Sequence, residues 1–77
     1  MQVKINFSLA PPPPDVDTGV RYQELRIGMR IELWWLGDWW AVTVKYLRSG
    51  DLSATIRFVG AQGTMSGIRP HHLRNRA

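Results

Sequence analysis

The stretch Gly28-Met29-Arg30-Ile31-Glu32-Leu33-Trp34-Trp35, followed by Leu36 and then Gly37-Asp38-Trp39-Trp40-Ala41-Val42-Thr43-Val44, decides how this chain is read. Ile31, Leu33 and Trp35 alternate with Arg30, Glu32 and Trp34, the period-2 pattern of a strand with one buried face. The alternation resumes beyond Gly37-Asp38, with Trp40, Val42, Val44 and Tyr46 set against Trp39, Ala41, Thr43 and Lys45. Gly-Asp is a suitable pair for a two-residue hairpin turn, because glycine accepts positive φ at the first central position. With the turn there, Trp35 is expected opposite Trp40, Leu33 opposite Val42 and Ile31 opposite Val44, all six on one face.

Working outward, Arg48-Ser49-Gly50 suits a three-residue loop into a third alternating run. In it Leu52, Ala54, Ile56 and Phe58 face one way and Ser53, Thr55, Arg57 and Val59 the other. Val44 is expected beside Ala54 and Val42 beside Ile56. Gly60 to Gly63 form the next turn, and Thr64 to Gly67 a short fourth strand with Met65 opposite Phe58. Ile68, Pro70 and Leu73 then close the sheet, with a tight turn near Pro70. Four or five short strands with tight connections predict a small, strongly bent antiparallel meander, and closure into a barrel protects the edges of such a sheet.

The region before this is different. Val3, Ile5, Phe7 and Leu9 alternate like a strand, but Pro11 to Pro14 stop it, since four prolines offer no amide donors. Residues 1–10 are either an extra strand of the barrel or the tail of something upstream. Asp15 to Gly19 reads as linker, and Tyr22 to Leu25 as a short helical turn leading into the domain. The expected organisation is a proline-broken N-terminal segment over 1–24, the barrel over 25–74, and a tail over 75–77.

Composition narrows the function. Seventy-seven residues without cysteine hold one domain at most, with neither disulfides nor thiolate ligands. His71 and His72 are the only imidazoles, and neighbours in an extended segment point to opposite faces, so no metal is expected. No apolar run approaches the ~20 residues of a membrane span, and the N-terminus lacks the apolar block of a secretory signal. Cysteine-free composition fits a reducing, intracellular compartment. The net charge of +4 is uneven: residues 1–38 carry four basic and five acidic groups, residues 39–77 six basic groups and only Asp51. That balance suits an acidic partner, or simply a solvated surface.

Four tryptophans crowd one hairpin. If Trp35 and Trp40 face inward, Trp34 and Trp39 face outward, diagonal to one another, where exposed indoles call for a partner. The N-terminal strand, a second copy of the chain, or a ligand would each serve.

The quoted hairpin resembles the opening of Tudor and Agenet domains, SH3-like barrels with a glycine, an alternating strand, a tight loop and a second strand of the form W/Y-x-A-x-V. Ile56-Arg57-Phe58 resembles their third strand, and Gly67-Ile68-Arg69-Pro70 the closing segment of Agenet-type domains. The resemblance covers about residues 25 to 74. It implies an all-β, SH3-like (Tudor-type) small barrel that is a non-catalytic reader of a methylated lysine or arginine peptide, nuclear if its partner is chromatin. By position, Trp35, Trp40 and Phe58 would be the walls of an aromatic cage. Gly60 stands where such domains often carry an acidic or amide residue, and Asp38 is the candidate for the missing negative charge.

Two other classes compete. A basic barrel binding nucleic acid would use Arg48, Arg57, Arg69, Arg74, Arg76 and Lys45 for phosphates and Trp34 and Trp39 for stacking, with Arg57 near Trp39. An oligomerising module would bury Trp34 and Trp39 between copies. Catalysis is not expected, and no cofactor is implied. Type II dihydrofolate reductases resemble the chain in length and barrel class, but their Val-Gln-Ile-Tyr segment corresponds to Ser66-Gly67-Ile68-Arg69 here. Ser66 has no evident base, and no glycine pattern matches a phosphate loop.

Overall fold

The computed structural model describes residues 20–76. The alternating segment before Pro11 and the proline run lie outside them. Five strands are present: β1 (Arg30–Trp35), β2 (Asp38–Arg48), β3 (Ser53–Phe58), β4 (Thr64–Ile68) and β5 (Leu73–Arg74). They form one antiparallel sheet of order β4-β3-β2-β1-β5. Two 3₁₀ turns, Tyr22–Glu24 and Pro70–His72, are the only helical pieces among the described residues. None is long and apolar enough to cross a membrane.

The link between β4 and β5 bends the sheet. In a flat sheet at ~4.8 Å per strand, the two edge strands would lie ~19 Å apart. The Pro70–His72 turn and the three steps that flank it between Ile68 and Leu73 reach only ~14 Å. The sheet therefore curls until its edges approach, although β4 and β5 do not pair. The concave side gathers Ile31 and Leu33 from β1, Val42 and Val44 from β2, Ala54 and Ile56 from β3, Ile68 from β4 and Leu73 from β5, all fully buried. Val20 and Leu25, flanking the first 3₁₀ turn, cover the same core.

The faces are those the alternation predicts, but the register is not. The turn centres on Leu36-Gly37, at φ 52° and 75°, and not on Gly37-Asp38. Two successive left-handed residues form the turn whose twist matches that of the flanking strands. Moving the turn by one residue slides the pairing by two: Trp35 faces Asp38, Trp34 faces Trp39, Leu33 faces Trp40 and Ile31 faces Val42. An even slide keeps every side chain on its own side.

The same correction recurs twice. Val42 pairs with Phe58 and Val44 with Ile56, instead of with Ile56 and Ala54. Met65 pairs with Ile56, instead of Phe58. The loop after β2 spans residues 49–52, one residue longer than expected, and holds Leu52 at φ 53°. Leu52 is exposed rather than inward.

Bulges account for the remaining differences. The β2–β3 pairing shifts between Val44 and Tyr46, where Lys45 is the extra residue. Beyond it Tyr46 turns out to solvent and Leu47 packs on the core, inverting the expected order. A second shift lies between the Ile56–Met65 and Ala54–Ile68 pairs. Gly67, at φ 73°, supplies the left-handed residue there, so Met65 and Ile68 both reach the core.

Candidate functional site

The hairpin β1–β2 carries tryptophans on both sides of the sheet, and each side is completed by a different strand. On the concave side Trp35 and Trp40 meet, with ring centroids 5.3 Å apart, and Phe58 of β3 joins them at 5.1 Å from Trp35 and 6.0 Å from Trp40. Trp40 is held in place by its indole N–H, which donates to the Trp35 carbonyl oxygen at 2.7 Å. It remains 40% exposed at the sheet end, where no further strand among the described residues covers it.

The three rings wall a concavity of about 380 Å³, whose opposite side is Val59, Ala61, Gln62, Gly63, Thr64 and Met65. Its surface is largely apolar, and its size falls within the range of small-ligand sites. The loop that supplies the far wall is set by Gly60 and Gly63, both at positive φ, and by the Phe58 amide donating to the Gly63 carbonyl at 3.2 Å.

The spacing limits what enters. The middle of a triangle with sides of 5.1, 5.3 and 6.0 Å lies only ~3 Å from each centroid, closer than van der Waals contact at ~3.5–4 Å. Nothing sits between the rings. A cation can rest above them, facing the loop, within the ~6 Å over which indole and phenyl faces attract it.

The structure places Asp38 opposite Trp35 in the ladder, with its Oδ1 accepting the Trp39 amide at 2.7 Å. It does not line the concavity. Gln62 does, and it brings an amide to the wall where Gly60 had seemed to leave none. The sequence signal is a polar residue two positions past Gly60.

On the convex side, Trp34 and Trp39 lie directly opposite rather than diagonal, with centroids 5.2 Å apart in an edge-to-face contact. Both are half-buried, not exposed as expected. The guanidinium of Arg74, from β5, sits 4.1 Å over the Trp39 ring, and its Nε donates to Glu32 Oε1 at 2.7 Å. Arg57, assigned that contact from the sequence, is instead opposite Thr43, because the β2–β3 register is slid by two.

The same slide gathers a group that no single stretch of sequence reveals. Arg30, Thr43 and Arg57 stand in one row across β1, β2 and β3. With Lys45 they line an open trough of about 450 Å³, bounded by residues 58–62.

His71 and His72 occupy the second 3₁₀ turn rather than an extended segment, with imidazole centroids 3.9 Å apart. Among the described residues no group of three or more His, Cys, Asp or Glu could hold a metal ion. No protein-family model matches the chain, and neither a curated protein nor a solved structure matches it.

Proposed function

We propose that the curled sheet is an SH3-like barrel of the Tudor type, and that it is a non-catalytic module recognising a methylated lysine or arginine in a peptide. The supporting observation is the convergence of Trp35, Trp40 and Phe58, from three strands, on one largely apolar concavity walled opposite by Gln62 and Met65. The strand order and the 3₁₀ link from β4 to β5 support the barrel class.

The chemistry favours a methylated cation over a bare one. Methylation removes hydrogen-bond donors and makes the group cheap to dehydrate, while its charge still attracts ring faces by ~0.5–2 kcal/mol per contact. The Gln62 carbonyl is available to accept any N–H that remains on a lower methylation state. Because the rings touch one another, the ligand sits over them and keeps part of its surface in water. Modest affinity follows.

Calorimetric titration with paired peptides, identical except for methylation of one lysine or arginine, tests this reading. The methylated peptide binds more tightly, and Trp40→Ala weakens it ~5- to 30-fold, the equivalent of ~1–2 kcal/mol. Equal binding of the two peptides would reject the reading.

A further inference from the structure

The trough on the convex side is a second surface with its own chemistry. Arg30 and Arg57 flank Thr43 on adjacent strands, so at ~4.8 Å per strand their Cα atoms are ~10 Å apart. Lys45 is two residues further along β2, at the bulge, and also lines the trough. Both arginines are exposed, and neither side chain makes a hydrogen bond or ion pair to another described residue. The Lys45 ammonium lies 6.0 Å over the Tyr46 ring, a contact that leaves its N–H donors free for an anion. No acidic residue lines the trough. The acid nearest along this face, Glu32, is already paired with Arg74. Three cations therefore surround one hydroxyl with no counter-charge in the trough among the described residues.

We infer that this trough binds the phosphodiester backbone of a single-stranded nucleic acid. With one phosphate to each cation, the triad engages two or three phosphates of a passing strand. The trough is open along its length, as a passing polymer requires. The same sheet face continues past Glu32 and Ala41 to the Trp34–Trp39 pair, which offers a ring edge for a base. This surface does not depend on the peptide reading, since Arg30, Lys45 and Arg57 line the trough and not the aromatic cup, and the two share only the wall formed by Phe58, Val59, Ala61 and Gln62.

The test is fluorescence anisotropy with a labelled oligothymidylate of about twelve nucleotides, titrated at several salt concentrations. With three phosphates engaged, affinity falls ~20-fold between about 50 and about 200 mM salt. In the double variant R30Q/R57Q the low-salt affinity drops and the same salt change costs only ~3-fold. Both positions are exposed, so the variant melts like the parent and still titrates with methylated peptide if the parent does. Absence of binding at low salt, or binding and salt slope unchanged in R30Q/R57Q, would overturn the inference. So would a phosphoserine peptide that outcompetes the oligonucleotide at equal charge.

Discussion

One hairpin carries two tryptophan pairs with opposite fates. Trp34 and Trp39 face each other across β1–β2 and are closed off by Arg74, whose guanidinium lies on Trp39 and whose Nε is tied to Glu32. Trp35 and Trp40 are met by Phe58 from β3, and the loop beyond β3 walls a concavity beside them. Both pairs come from the same alternating sequence. Neither composition nor exposure of the isolated hairpin distinguishes them. The difference is made by the third element: β5 brings a long cation that covers one pair, whereas β3 brings a ring and a glycine-bounded loop that leave a concavity beside the other.

The largest effect should come from the core beneath the hairpin. Leu33 is fully buried there, opposite Trp40 in the ladder. Leu33→Ala should cost ~2–5 kcal/mol, enough to unfold much of so small a domain, as read by thermal melting. Next come the two halves of the comparison. Trp39→Ala removes an edge-to-face pair and an arginine stack, together ~1–3 kcal/mol of stability, and should leave methylated-peptide affinity unchanged in calorimetry. Trp40→Ala should do the reverse in emphasis, weakening the peptide ~5- to 30-fold.

A smaller and opposite effect is expected at the tip. Leu36 is exposed and held at φ 52°, a left-handed conformation that costs an ordinary residue ~1–2 kcal/mol. Leu36→Asn should raise the melting temperature by a few degrees, with both tryptophan pairs intact. The smallest effect concerns Asp51 in the β2–β3 loop. The Ser53 hydroxyl donates to its Oδ1 at 2.6 Å and the Arg48 guanidinium lies 3.9 Å away, so its carboxyl is held below the ordinary value of 3.8. Its contribution is present above that value and is lost as pH falls through the lowered one. Asp51→Asn should therefore flatten the stability curve only at the acidic end, well away from either pair.

Much of the fold was legible because side-chain alternation specifies faces. Ile31, Leu33, Val42, Val44 and Ile56 all lie where period 2 puts them. Register was not legible, because sliding one alternating strand by two residues returns the same pattern of apolar contacts. At the tip the choice rested on turn chemistry, and Leu36 is a poor advertisement for a left-handed position. The bulge at Lys45 inverts the alternation beyond it, which is why Tyr46 faces solvent, and the loop one residue longer than expected leaves Leu52 exposed at positive φ. The aromatic trio needed only the faces and could be read from the sequence. The Arg30–Thr43–Arg57 row needed the register across three strands and could not. The role of Arg74 depended on a two-residue strand, Leu73–Arg74, too short to announce itself.

The contrast between the two pairs can be measured in one experiment. In nitrogen-labelled protein the four indole N–H signals are followed by NMR while a trimethyl-lysine peptide, and then its unmethylated twin, is added. Trp35 and Trp40 should shift with the methylated peptide only, and Trp34 and Trp39 should stay still. Movement of Trp34 and Trp39 instead, or the same shifts without methylation, would contradict the assignment of the open concave side as the binding face.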